Sequence, residues 1–268
     1  MPDSSKIADI ADDTRPNMGR IYDYLLGGYH NFEVDRVQAA KIVEKVPLLP
    51  KMLRQIRWFL GRAVQNLLAD GYTQFLDFAS GLPLQDHIHQ IAPKDINVVY
   101  SDNDPITVAF ANEIIGDNPH VLYLRCDVAN PALILENDSV AALLDRSRKC
   151  AIGMNGITYF LDDNALARSF EVLYNWANTG DRLYLCDANF NYSRPEDREV
   201  LEIYSKMGSP FYWHSVDKMK TLVGQWRPVS PGYQPLEDWL SLSETPLSFG
   251  KMEIETHGGN LYGVILEK

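Results

Sequence analysis

Phe75-Leu76-Asp77-Phe78-Ala79-Ser80-Gly81-Leu82-Pro83 is the stretch on which the fold turns. An apolar run reaches a carboxylate and then breaks into a turn of small residues, the form of a buried strand ending where a ligand can approach the backbone. Outward from it the same texture recurs in Val98-Val99-Tyr100, Val121-Leu122-Tyr123-Leu124, Cys150-Ala151-Ile152-Gly153-Met154 and Leu183-Tyr184-Leu185-Cys186. None of these runs alternates apolar with polar residues, so each reads as a strand covered on both faces. Each leads through a polar turn into a helical stretch, and five such units predict a doubly wound, Rossmann-like α/β protein.

The flanks differ. Residues 1–15 are polar and acidic and predict a flexible N-terminus. From 16 to 70 the pattern is helical: Ile21, Tyr24, Leu25 and Tyr29, then a run from Glu33 to Val46 ended by Pro47, then Met52, Ile56, Phe59, Leu60, Val64 and Leu67. This predicts a helical cap over residues 16–70 ahead of an α/β domain over 71–268. Near the end, Met252-Glu253-Ile254-Glu255-Thr256 and Leu261-Tyr262-Gly263-Val264-Ile265-Leu266 flank His257-Gly258-Gly259-Asn260, which predicts an antiparallel hairpin closing the sheet.

Composition narrows the class. The chain has 268 residues and a formal charge of −11, with 36 acidic against 25 basic residues. A surface that tracks phosphates needs an excess of Lys and Arg, so nucleic acid is not the expected partner. The cysteines, Cys126, Cys150 and Cys186, sit in or beside apolar runs without a CxxC pair or a His at metal-ligand spacing. They read as buried thiols in a reducing compartment, with no metal site. No apolar run has the length of a membrane span, and the N-terminus lacks a basic-plus-apolar signal pattern; a cytoplasmic location is expected.

Ligands of open α/β sheets lie outside the carboxyl ends of the strands. Asp77, Asp102 and Asp127 fall at three successive strand ends, 25 residues apart in each case. Asp102 is placed to accept hydrogen bonds from both hydroxyls of a ribose, and Asp127 to accept from an exocyclic adenine amine with the Val128 N–H facing a ring nitrogen. Asp77 either orients the Ala79-Ser80-Gly81 turn or meets an amino group. A single acid at a strand end is as often a helix cap, and Asp104 before Pro105 reads as one; three at equal spacing favour a ligand. A dinucleotide fingerprint would need glycine at 79, 81 and 84, where the chain has Ala79, Gly81 and Leu84. There is no P-loop either, which disfavours a nucleotide-cofactor oxidoreductase.

Two further blocks carry a resemblance. Arg15-Pro16-Asn17-Met18-Gly19-Arg20-Ile21-Tyr22-Asp23-Tyr24-Leu25-Leu26-Gly27-Gly28-Tyr29-His30-Asn31-Phe32-Glu33-Val34-Asp35-Arg36 and Val99-Tyr100-Ser101-Asp102-Asn103-Asp104-Pro105 join Asp77-Phe78-Ala79-Ser80-Gly81-Leu82-Pro83. With these the chain resembles the actinobacterial-type S-adenosylmethionine-dependent methyltransferase family once catalogued as a domain of unknown function. The resemblance implies a class I methyltransferase fold, with a seven-stranded sheet whose last strand is antiparallel. It implies S-adenosyl-L-methionine as cofactor, and N-terminal helices over the cofactor mouth with Tyr22, Asp23, Gly27, Gly28, Asn31 and Phe32 near the site. Read independently, Gly27-Gly28 is equally a plain interhelical turn. The cofactor-binding set expected on these grounds is Tyr22, Gly28, Asp77, Ala79, Ser80, Gly81, Asp102, Asn103, Asp127, Val128 and Asn155, the last closing the fourth strand near the methionine end.

The chain departs from the family at Ala79, usually glycine. It also departs at Ile157-Thr158-Tyr159, where Leu-His-Phe is common, and at Asp187-Ala188, where a Ser-His pair is common. The residues left as candidate general bases are His30 and Asp187, with Tyr22 and Asp23 as lesser choices. His87 and His89 read as exposed or structural, and His214 as a helix-start residue. Tyr192, Phe211, Tyr212, Trp213 and Trp239 are either an apolar acceptor pocket or ordinary packing. The expected function is methyl transfer to a small molecule such as a secondary metabolite. The alternative is the same fold without methyl transfer, as another catalyst or a ligand-binding or regulatory module.

Overall fold

A computed structural model describes residues 14–83, 86–189, 195–242, 245, 248–249 and 260–268. The five apolar runs become β1 (Gln74–Asp77), β2 (Asn97–Asp102), β3 (Val121–Arg125), β4 (Ala151–Asn155) and β5 (Arg182–Asn189), all parallel. The last strand, β8 (Asn260–Glu267), runs antiparallel to β5. Its expected hairpin partner, Met252–Thr256, lies outside the described residues, as does Tyr192.

Strand order is β3-β2-β1-β4-β5-β8-β6, with β6 (Arg227–Pro228) at the edge and β7 (Gln234–Pro235) pairing β8 off that path. Among the described residues the sheet has eight strands, where seven were expected. Both added pieces are two residues long and end in proline, which has no N–H to continue a ladder.

The absence of alternation in the strands has its cause in the two-sided core. Phe75, Val98 and Tyr184 face one apolar cluster, and their neighbours Leu76, Val99 and Leu183 face the other. The first cluster is built on α3 (Leu49–Ala69), whose Ile56, Phe59, Leu60 and Val64 form a buried stripe at helical spacing. The second includes α8 (Asp163–Trp176), through Leu166, Phe170 and Leu173. The linking helices are α4 (Ile88–Ile91), α5 (Pro105–Ile115), α6 (Ala132–Leu135) and α7 (Asp138–Leu143). After β5 come α9 (Pro195–Lys206), α10 (Val216–Leu222) and α11 (Leu236–Leu240). Asp104 caps α5 as expected, its carboxylate accepting the Thr107 N–H at 3.0 Å.

Ahead of the sheet, α1 (Met18–Leu25) and α2 (Glu33–Lys45) are tied together by buried charge. Arg20 and Asp35 pair at 2.7 Å, each almost wholly buried, and Asp35 also accepts the N–H groups of Asn17 and Phe32. The Asp23 carboxylate accepts the His30 N–H at 3.0 Å and the Asn31 amide at 2.9 Å. A Cβ on Gly28 would lie 1.9 Å from Asp23 Oδ1. Gly27-Gly28 is thus a turn wrapped around a carboxylate, with Gly27 at a φ of 88°.

Candidate functional site

At the carboxyl ends of β1–β4 lies a cavity of about 480 Å³, closed from above by α1, α3 and α9. Its floor follows from strand order. Asp127, Asp102, Asp77 and Asn155 end or follow β3, β2, β1 and β4, so they stand in that order along the sheet edge, and all four line the cavity.

Asp102 is the best-defined acceptor. Its two oxygens take the Gly81 N–H at 3.2 Å and the Asp104 N–H at 3.0 Å, and lone pairs remain toward the cavity. Although part of its surface faces the cavity, dense protein surrounds it, and this desolvation pushes its carboxyl up to about 6 against the opposing backbone N–H bonds. Asp127 is exposed, and among the described residues its carboxylate accepts the Ala129 N–H alone, at 2.9 Å. Asp77 is almost fully buried; its Oδ1 accepts the Tyr184 hydroxyl at 2.6 Å, and burial raises its carboxyl. The turn after β1 is held by Ser80 Oγ on the Asp77 carbonyl at 2.7 Å and by the Tyr123 hydroxyl on the Gly81 carbonyl at 2.7 Å.

That turn explains one feature of the sequence. Ala79 sits at a φ of 51° and Gly81 at 65°, both in the left-handed region. An L-residue there costs roughly 1–2 kcal/mol, which glycine avoids. Ala79→Gly is expected to stabilise the protein by up to about 1 kcal/mol, the gain being reduced by the greater freedom of an unfolded glycine. Chemical denaturation measures this; a loss of stability would contradict the strained turn.

Of the expected cofactor residues, Tyr22, Asp77, Ala79, Ser80, Gly81, Asp102, Asn103, Asp127, Val128 and Asn155 line the cavity, and Gly28 does not. Asp23, Gly27, Asn31 and Phe32, placed near the site by the resemblance, are also outside its lining and shape the α1–α2 connection instead. His30 is outside too. Its ring packs against Phe110 of α5 at 5.5 Å, and burial lowers its pKa.

Asp187 points away from the cavity. Strand alternation sends Ala188 to the cavity side and Asp187 to the opposite face, where its Oδ2 lies 3.4 Å from Nδ1 of the equally buried His214. His214, read as a helix-start residue, directly precedes Ser215, whose side chain caps α10. Tyr22 alone of the four candidate bases, His30, Asp187, Tyr22 and Asp23, lines the cavity. Its hydroxyl pKa is raised by burial, with the nearby Arg57 charge opposing.

The far end of the cavity is apolar. Tyr159 stacks on Phe211 at 4.8 Å between ring centroids, and Phe160 lies 6.0 Å from Tyr204 of α9. Met52, Leu53 and Ile56 of α3 complete this wall. The aromatic set read from the sequence therefore splits. Phe211 and Tyr212 line the cavity, Trp213 is exposed, and Trp239 is packed on Phe59 with its indole N–H on the Gly263 carbonyl at 3.0 Å.

Arg57, Phe160 and Tyr204 are cavity residues that sequence reasoning missed, Arg57 being the charged one. It adjoins the Leu53–Ile56–Leu60 stripe of α3, and a charge beside a buried stripe was the available signal. All three cysteines are free and buried. No helix of the described residues is long and apolar enough to cross a membrane.

Fold and site together define an α/β protein with a nucleoside-sized cavity floored by carboxylates. Comparison with known proteins gives the particular family. The sequence profile of the S-adenosyl methyltransferase family matches residues 4–261, and the chain belongs to that family. A protein from Thermobifida fusca, provisionally assigned as a methyltransferase, superposes with a TM-score of 0.83 at 25% identity, covering 96% of each chain. A DUF574 family protein from Streptomyces avermitilis superposes at 0.81 with 24% identity, over 96% of this chain and 99% of that one. The magnesium protoporphyrin IX methyltransferase of Synechocystis, solved with bound S-adenosylhomocysteine, shares the fold at a TM-score of 0.52 and 14% identity, over 92% of this chain and 91% of that one. No curated protein matches the sequence.

The fold is thus that of class I methyltransferases, the cofactor is S-adenosylmethionine, and the activity is methyl transfer. The residues present fit this cofactor. Asp102 offers lone pairs to a diol, Asp127 offers a carboxylate at the β3 end, and the buried Asn155 Oδ1 has no hydrogen-bond partner among the described residues.

Proposed function

We propose that this chain methylates a small, largely apolar acceptor held between Tyr159, Phe160, Tyr204 and Phe211. The observation that carries the reading is the division of one cavity into an acidic floor and an aromatic wall. A volume of about 480 Å³ suits small molecules. In this reading Asp102 holds the ribose hydroxyls, Asp127 accepts from the adenine amine, and the Ala79-Ser80-Gly81 turn brings backbone against the nucleoside. When bound, S-adenosylmethionine supplies a methyl carbon made electrophilic by its sulfonium.

The aromatic wall aligns the acceptor and excludes water, the main contributions a protein makes to an in-line displacement. Burial holds Tyr22 protonated near neutral pH, so proton removal is not assigned to it. The favoured acceptors need no general base: a neutral amine, a phenolate, a carboxylate or a thiolate. A helical cap over 16–70 on a cofactor-binding domain over 71–268 belongs to the same proposal, supported by α1 and α3 closing one side of the cavity. So do a cytoplasmic setting, in keeping with the three buried thiols, and the exclusion of nucleic acid, in keeping with a charge of −11.

The first test is calorimetric titration with S-adenosylmethionine and S-adenosylhomocysteine, with NAD as control, followed by an adenosylhomocysteine-release screen over small aromatic and terpenoid acceptors. Turnover with such acceptors supports the reading. Turnover confined to peptides or RNA overturns it.

A further inference from the structure

The charges around the cavity are of one sign. Among the described residues its lining holds the carboxylates of Asp77, Asp102, Asp104, Asp127 and Asp162 against a single cation, Arg57, with neither lysine nor histidine. Arg57 is already engaged. Its guanidinium bonds the Tyr22 hydroxyl, lies 5.5 Å from the centroid of that ring, and has the Asp77 and Asp23 carboxylates in its field. Asp162, which caps α8, follows Phe160 and Leu161 and so brings a carboxylate to the aromatic side as well. An anionic acceptor would leave water here without a free counter-charge, a costly transfer.

The wall points the same way by a different interaction. Tyr159, Phe160, Tyr204 and Phe211 all line the cavity, with neighbouring ring centroids 4.8 to 6.1 Å apart. Aromatic faces carry negative quadrupole density, which attracts an ammonium and repels an anion. Wall and floor adjoin at Tyr159, whose hydroxyl oxygen lies 3.3 Å from the place a Cβ on Gly156 would take, just past the end of β4. Of the acceptors that need no general base, phenolate, carboxylate and thiolate therefore have the wrong sign for this cavity, and the amine remains.

We propose that the acceptor is a small amine methylated at nitrogen, and that the wall of Tyr159, Phe160, Tyr204 and Phe211 stabilises the ammonium as it forms. The assignment rests on the methyl-transfer reading above and narrows it to one class of acceptor. The amine enters neutral, and its lone pair makes the new N–C bond while the C–S pair withdraws to sulfur. Positive charge thus passes from sulfur to nitrogen without leaving the cavity, and a primary or secondary amine then releases its proton to water. Rings fixed where that charge develops help the transition state more than the neutral amine.

The test uses three soluble molecules of closely similar shape: choline, 3,3-dimethylbutan-1-ol and 3,3-dimethylbutanoate, which carry a cation, no charge and an anion. Each is titrated calorimetrically into protein saturated with S-adenosylhomocysteine, so that the cofactor's own place is filled. Wild type, Tyr204→Leu and Tyr204→Phe are compared, with thermal melts to verify folding. Choline should bind wild type at least about tenfold more tightly than the alcohol, with the carboxylate weakest. Tyr204→Leu should reduce that preference, and Tyr204→Phe, which keeps the ring, should retain it. Absent choline binding, an alcohol as tight as choline, or a carboxylate tighter than either overturns the assignment. So does a preference that Tyr204→Leu leaves unchanged, since the cation then sits away from the wall. In the acceptor screen N-methyl-2-phenylethylamine should be methylated and 3-phenylpropanoate should not, and the reverse overturns it too. Failure of wild type to bind S-adenosylhomocysteine overturns the cofactor reading itself, and that failure is visible before any of the three is added.

Discussion

Asp102→Ala is expected to weaken S-adenosylhomocysteine binding by at least about 100-fold, with folding intact. Two ribose hydroxyls donating to one carboxylate are charge-assisted bonds of roughly 1.5–3 kcal/mol each, and about 3 kcal/mol in total is a factor of about 100. The carboxylate is already pushed up to about 6 in the free protein, and this fixes the sign of a pH dependence. Hydroxyl donors favour the ionised form, so the ligand binds best above pH 6 and competes with a proton below it. Affinity should fall roughly tenfold between pH 8 and pH 5 on account of this one group. Asp77, also raised by burial, adds to the slope in the same direction. Asp102→Asn should remove the Asp102 part of the slope while leaving two-state unfolding intact. A tight complex whose affinity ignores both substitution and pH would place the ribose elsewhere.

Gly153→Ala is expected to destabilise the protein by roughly 3–5 kcal/mol, the sum of overpacking and a broken buried hydrogen bond. Gly153 lies in β4 between β1 and β5, and its missing side chain is the space in which the Asp77–Tyr184 bond sits. A Cβ there would lie 2.1 Å from Asp77 Oδ1 and 2.2 Å from the Tyr184 hydroxyl oxygen. Tyr184 is buried and β4 is held on both sides, so the contact is relieved only if Asp77 turns toward the cavity, which breaks its bond to Tyr184. At 2–4 °C per kcal/mol for a chain of this size, Tm should drop by roughly 10 °C. Gly61→Ala is the matched control. Gly61 is inside α3, where a Cβ meets only Ile91 Cδ1 at 4.0 Å, and the change should raise stability by up to about 1 kcal/mol. Equal, small effects at the two positions would mean that β4 has slack the packing does not reveal.

The same packing separates what was legible in the chain from what was not. Runs such as Val98-Val99-Tyr100 read correctly as two-sided strands because a continuous apolar run is a local signal of being covered on both faces. The acids at Asp77, Asp102 and Asp127 were legible as a set because one βα unit separates each from the next, so equal spacing becomes a row at one edge of the sheet. Helix α3 was legible from its stripe.

The long N-terminal block is different. It singles out Asp23, Gly28, His30 and Asn31, yet these residues hold a turn and a helix pair together, while Tyr22 lines the cavity with Met18, Ile21 and Leu25 of the same helix. A motif of charged and glycine residues looks alike whether it grips a ligand or its own backbone, since a carboxylate accepts either.

The sequence by itself determined the strand–helix alternation, the buried strands and the carboxylate that ends β2, because these follow from neighbours along the chain. Tertiary structure alone decided that Ala188 rather than Asp187 faces the cavity, that Tyr159, Phe160, Tyr204 and Phe211 meet in one wall, and that Arg57 stands beside Asn155. The physical reason is range. Periodicity records which face of an element is covered, whereas the partner of a buried charge is set by contacts such as the Asn155–Ile56 bond, between residues 99 positions apart.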